Sequence, residues 1–178
     1  MQTLPWLRIV IVFALVGLLT LLAWAAPILP ERGRLHNQVR SLKGIKKIGL
    51  KIDRLPELLE DAGVSAHRIR TRWVERLTEV GLVITGDEGH PQLRLNISAT
   101  TDPAVPDGVA FNLYLMLEQR VRLPRLDYEF ATPTYVIIMV ALESKENMAS
   151  AVNRTVDNIL EGFIQNRELA EAEPDEAE

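Results

Sequence analysis

The rhythm of hydrophobic and polar positions changes several times along this chain, and each change marks an element. From Ile9 to Ala26 the run IVIVFALVGLLTLLAWAA carries no charge. Only Gly17 and Thr20 interrupt it, and lipid-embedded helices tolerate both. At about 1.5 Å per residue this run nearly crosses a hydrocarbon core of ~30 Å, and Pro27-Ile28-Leu29 can complete the span. The pattern predicts a single-pass transmembrane helix within residues 1–29, with Ile9, Phe13, Leu18, Leu22 and Trp24 as anchoring side chains. Trp6 and Trp24 stand near its two ends, where indole rings favour the interface. A cleaved secretory signal is the competing reading, because Ala23-Trp24-Ala25 fits a small-x-small cleavage site and Arg8 supplies a positive flank. The run is longer than the ~7 to 15 apolar residues of such signals, which favours an anchor.

Residues 30–44 are polar and read as a linker. Beyond them the periods of a soluble domain begin, covering residues 45–166. Ile45, Ile48, Leu50, Ile52 and Leu55, interleaved with lysines and Asp53, predict a half-buried first strand. Pro56 at a helix start and Gly63 as a stop bracket a short helical turn. Ser65 can cap a longer helix in which Ile69, Trp73, Leu77 and Val80 form one apolar stripe, ended by Gly81. Leu82 to Thr85 reads as a short strand, and Gly86-Asp87-Glu88-Gly89 as a turn. Leu93, Leu95, Ile97 and Ala99 alternate with Arg94, Asn96 and Ser98 as a two-faced strand. A loop is expected over 101–108.

Val109 to Leu123 is the most regular stretch. Val109, Phe111, Leu113, Leu115, Leu117, Val121 and Leu123 line one face, and Asn112, Tyr114, Met116, Glu118, Arg120 and Arg122 the other. A strand of that length reaches about 50 Å, so it either protrudes past its sheet or bends. After a loop over 124–133, Tyr135 to Leu142 is apolar on both faces and predicts an interior strand covered on two sides. Ser144 can cap a last helix with the stripe Met148, Val152, Thr155, Val156, Ile159 and Phe163. The acidic, alanine-rich residues 167–178 predict a disordered tail. The fold class is therefore α+β: an N-terminal transmembrane helix, then a mostly antiparallel sheet of four or five strands with two helices on one face, in the order β-α-β-β-β-α.

Composition narrows the functions open to such a chain. Of 178 residues 47% are hydrophobic and 25% charged, so the body can bury one core. A net charge of -4 argues against the broad basic surface that nucleic-acid binding needs. With no cysteine there is no disulfide, thiolate metal site or cysteine nucleophile, and no N-terminal Cys to carry a lipid. His36, His67 and His90 are scattered without ligand spacing, which speaks against a metal. Nucleophile-elbow, dinucleotide and phosphate-loop motifs are absent, and Glu57, Glu60 and Asp61 read as a solvated face, so neither a cofactor nor catalysis is expected.

The remaining chemistry is that of contact. Arg68, Arg72 and Arg76 stack at i,i+4 on the first long helix, with Glu75 and Glu79 as partial counter-charges. The bland reading is a solvated face; the functional one is docking to lipid heads or an acidic partner. Tyr114, Met116 and Arg120 on the polar face of the long strand are the second candidate docking group. For orientation, Arg32, Arg34, Arg40, Lys43, Lys46 and Lys47 after the helix favour a cytoplasmic domain by the positive-inside rule. A short N-tail before a long folded domain is how a signal-anchor exports its C-terminal part, and on that ground the domain is expected in the periplasm.

In element order and membrane attachment, Ile45 to Asn166 resembles the small α/β sandwiches of bacterial envelope proteins, such as the N-terminal domain of the translocation protein TolB and the lipopolysaccharide-assembly lipoprotein LptE. The chain departs from the lipoprotein in lacking the lipid-bearing Cys, and no residue role carries over. The expectation is a non-catalytic accessory subunit that sits in the bilayer and docks on an integral-membrane complex of electron transport, photosynthesis or the envelope. The alternative is a periplasmic carrier of a lipid or other apolar ligand.

Overall fold

A computed structural model describes residues 35–174, which belong to the second of two compact units, Leu35–Glu178. The expected anchor, with Ile9, Phe13, Leu18, Leu22 and Trp24, lies outside the described residues. Among the described residues no helix is long and apolar enough to cross a membrane.

Strand β1 (Lys47–Ile52) turns Ile48 and Leu50 into the core and its lysines outward. Helix α1 (Asn37–Arg40) precedes it, and the short α2 (Glu57–Asp61) follows, with Pro56 as its N-cap. Ser65 caps α3 (Ala66–Glu79) by accepting from the Arg68 backbone N–H at 3.4 Å, as the sequence predicts. Its stripe of Ile69, Trp73 and Leu77 is fully buried, and Gly81, at φ 82°, ends it in the left-handed conformation that glycine adopts without strain. Strands β2 (Val83–Ile84), β3 (Gln92–Asp102), β4 (Val105–Leu123) and β5 (Tyr128–Ser144) follow, then helix α4 (Met148–Ala172).

The sheet runs in the order β2-β1-β3-β4-β5. It is mixed rather than mostly antiparallel: β1 pairs in parallel with both β2 and β3, while β3, β4 and β5 form an antiparallel meander. The α2–α3 segment supplies the crossover that parallel pairing of β1 with β2 requires. Both long helices pack on one face, over Leu93, Leu95 and Ile97 of β3 and Val109 to Leu117 of β4. Gly162 of α4 brings Ile137 Cδ1 within 3.7 Å of where a Cβ would stand, so helix and sheet meet closely there.

Four expectations are corrected. The loop expected over 101–108 is a two-residue turn at 103–104, because β4 begins at Val105 and pairs with Asp102 past a register shift. The loop expected over 124–133 shrinks to 124–127, with β5 starting at Tyr128; a second shift between Leu117 and Glu118 lets the pairing absorb Thr134. The linker and tail also fold in part. Leu42 is fully buried, and α4 continues through Glu168 to Ala172 with Ala170 buried. Glu171 and Glu173 then bind the incoming chain: Gly44 N donates to Glu171 at 2.9 Å, Leu35 N to Glu173 at 3.3 Å, and Arg40 pairs with Glu173 at 3.3 Å. The acidic residues that read as disorder hold the segment 127 or more positions earlier, Glu173 as the counter-charge of Arg40 and Glu171 as the acceptor for Gly44 N.

The fourth correction concerns β5. It is the outer strand of the sheet, with one face under α4 and the other open, so Tyr135–Leu142 is not an interior strand.

Candidate functional site

The face of the sheet away from the helices is built in rows set by strand register. Asn96, Tyr114 and Ile138 lie side by side across β3, β4 and β5; Arg94, Met116 and Val136 form the next row; Ser98, Asn112 and Val140 another; Thr100, Ala110 and Leu142 the last. Side chains in one row stand about 5 Å apart and touch. Polarity therefore changes across the face, from polar on β3, with Arg94 the one charge in these rows, through Tyr114 and Met116 on β4 to aliphatic on β5.

The aliphatic end is exposed: Ile138 by 58%, Leu142 by 71% and Val140 by 75%. Contiguous large apolar side chains left in water mark contact surfaces, whereas singly scattered ones do not. Among the described residues no strand lies beyond β5, so its outer edge leaves backbone donors and acceptors without strand partners beside them.

The polar end is fixed. Arg94 Nε donates to both carboxylate oxygens of Asp53, at 3.0 and 2.9 Å, and Asn96 Nδ2 donates to one of them at 3.2 Å. Burial pushes the Asp53 carboxyl up, but these hydrogen bonds with the charges of Arg94 and Lys51 bring it below the ordinary carboxylate range. The cluster orients Arg94 and Asn96 beside Met116 and Tyr114 and gives the face a rigid charged border.

The structure divides the two predicted docking groups. Tyr114 and Met116 stand half-buried in the middle of the open face, and Arg120 lies further along β4. Arg68, Arg72 and Arg76 belong to α3, in the helical layer on the opposite side of the sheet. Two of these arginines tie α3 to α4. Arg76 grips Glu161 with Nε and Nη2 at 2.7 and 2.9 Å, and Arg72 donates to Asn153 at 3.2 Å and Asp157 at 3.1 Å. The Arg76 hydrogen bond holds the Glu161 carboxyl below its usual range. Arg68 donates to the Gly63 carbonyl. The repulsion within this stack is thus met mainly from α4, with Glu79 contributing at 3.4 Å.

Ile138, Val140 and Leu142 escaped sequence reasoning as contact residues because an apolar run looks alike in an interior and an outer strand. The informative signal was local: these three alternate with Ile137, Met139 and Ala141, and only a covering layer on each side would bury both sets.

Among the described residues no three His, Asp or Glu side chains gather to hold a metal. The space between sheet and helices is filled by Trp73, Phe111, Phe163 and their leucine and isoleucine neighbours. A surface cleft of about 450 Å³ is lined by Lys43, Lys46, Lys47 and His90, with Gln119 at its rim, a polar setting unlike an apolar-ligand pocket.

No family model and no curated protein matches the chain. Among solved structures it is similar to a minor lipoprotein from Acinetobacter baumannii, at 14% identity and a TM-score of 0.31, over 72% of this chain and 87% of that one. It is also similar to the rare lipoprotein B from Shewanella oneidensis, at 22% identity and a TM-score of 0.26, over 70% of this chain and 89% of that one. Both are bacterial lipoproteins, and likeness this slight carries no argument about function.

Proposed function

We propose that this protein is a non-catalytic, membrane-attached accessory subunit that docks the open face of its sheet on an integral-membrane protein partner. The observation that carries the reading is the contiguous exposed row Ile138, Val140 and Leu142 beside Tyr114 and Met116, bordered by the fixed Asp53–Arg94–Asn96 cluster. Protein interfaces combine an apolar centre containing aromatic residues and methionine with a polar rim, and this face has both. The charge-free run Ile9 to Ala26 supports attachment to the bilayer, and the signal-anchor topology supports a periplasmic domain. The carrier alternative needs apolar room inside the domain, and the filled space between sheet and helices speaks against it.

The test is mild-detergent extraction of the tagged full chain, with mass spectrometry of the intact chain and of whatever copurifies in stoichiometric amount. An intact N-terminus together with membrane proteins that are lost from the Ile138→Glu, Val140→Glu double variant is the expected result. A chain that begins at Ala26 and runs alone, or a complex indifferent to the double variant, would overturn the reading.

A further inference from the structure

Strand β3 begins at Gln92, opposite Glu118, so among the described residues β4 has no strand partner on that side beyond Glu118. From there the β4–β5 hairpin is a two-stranded ribbon, paired from Gln119↔Thr132 to Leu123↔Tyr128. At about 3.4 Å per residue it projects ~15 Å past the sheet. Its faces differ in kind. The alternation that buries Val109 to Leu117 under the helices runs on into Val121 and Leu123, joined by Phe130 and Tyr128 across the ribbon. Tyr128 and Phe130 stack with ring centroids 6.2 Å apart, and Leu126 stands in the turn; Tyr128 and Leu126 are each 59% exposed. The other face carries Arg120, Arg122 and Glu129, with Arg122 paired to Asp127. Arg120 and Arg125 are exposed and have no ion-pair partner among the described residues.

A two-stranded hairpin is of marginal stability in water, and exposing a tyrosine and two leucines at its tip gains the fold nothing. We propose that the ribbon is a membrane-interface contact. Its apolar face enters the headgroup layer of an anionic bilayer, while Arg120 and Arg125 bind lipid phosphates. Side chains of this amphipathic kind, aromatic and aliphatic beside guanidinium, partition to that layer.

The occupant is identified by where the chain comes from. Ser41, directly after α1, is joined to the ribbon's base: Gln119 Nε2 donates to the Ser41 carbonyl at 2.9 Å, and Ser41 Oγ donates to the Thr134 carbonyl at 3.3 Å. The described chain therefore starts at the end of the sheet from which the ribbon projects. In the anchored reading, on which this inference rests, the apolar segment ends near Leu29, and the six peptide steps to Leu35 span at most about 20 Å. A lipid surface lies within the ribbon's reach, and its anionic phosphates complement the two unpaired arginines.

The chain has no cysteine, so a single introduced one can be labelled uniquely. Full-length Leu126→Cys, carrying an environment-sensitive fluorophore, would be reconstituted in vesicles of phosphatidylcholine with or without phosphatidylglycerol, alongside Val105→Cys at the far end of the sheet. Quenching by spin-labelled lipid at position 126 and not at 105, strengthened by phosphatidylglycerol, is the expected result. Replacing Arg120 and Arg125 by serine should weaken that strengthening by about fivefold per arginine. Vesicles that carry the protein on flotation while position 126 stays in water would overturn the ribbon contact and leave the anchor standing. Failure to float would overturn both. Shielding of position 126 in native membranes but not in protein-free vesicles would assign the ribbon to a protein partner and sink the lipid proposal.

Discussion

Asp53 shows how a side chain that looks like a solvated strand end becomes a structural fixture. Its partners Arg94 and Asn96 lie 41 and 43 positions away and are brought to it by the parallel pairing of β1 with β3. Because the folded carboxyl is held below its unfolded value of about 3.9, its contribution to stability is present above about pH 4 and is lost as pH falls through the folded value. Glu161, lowered by Arg76, acts in the same direction. Asp53→Ala should destabilise the domain by about 1 to 2 kcal/mol at neutral pH. The difference from the parent should shrink as pH is lowered toward 3, followed by urea unfolding at a series of pH values. Such a site is invisible to local reading. The same holds for Arg72 and Arg76, whose partners Asp157 and Glu161 each stand 85 residues further on, beyond the local spacing that marks Glu79 as a partner of Arg76.

At the level of elements, the periodicities were legible wherever one side of an element is buried. The Ser65 cap, the Ile69-Trp73-Leu77 stripe, and the two-faced alternations of β3 and β4 all stand where their spacing puts them. Length and lateral position were not legible, because hairpin turns as short as 103–104 carry few residues to announce them and strand order leaves no local trace. Of the two fates open to the long strand, protrusion is the one observed: beyond Glu118 it continues as a ribbon paired only with β5 among the described strands. The outer position of β5 is what leaves Ile138, Val140 and Leu142 exposed, and an apolar run alone does not reveal it. An outer strand with Ile138, Val140 and Leu142 turned to water invites edge-to-edge association. Val140→Lys should leave unfolding free energy within about 0.5 kcal/mol of the parent while raising the concentration at which the protein stays monodisperse by light scattering. A loss of several kcal/mol would mean that the face is covered within the folded chain.

For the whole molecule, the two layers divide the work: helices complete the core on one side, and the sheet presents itself on the other. The ends of the described chain meet at one corner, where Glu171 of α4 and Glu173, its C-cap, hold Leu35, Arg40 and Gly44. Deleting residues 168–178 should therefore destabilise the domain by about 2 kcal/mol, whereas deleting only 175–178 should be neutral; thermal unfolding of the two truncations decides this. Equal behaviour of the two would make the clasp decorative. The clasp also decides how the domain carries load. Under the proposed attachment, a pull on the chain before Leu35 would enter the domain at this corner. Here tension on Leu35 reaches the C-terminal turn of α4, and through the Ser41 contacts the base of the ribbon, before it reaches the strands. If the chain is tethered as proposed, the ion pair and hydrogen bonds at this corner take the load first, so α1 can be released while the strands of the sheet stay paired.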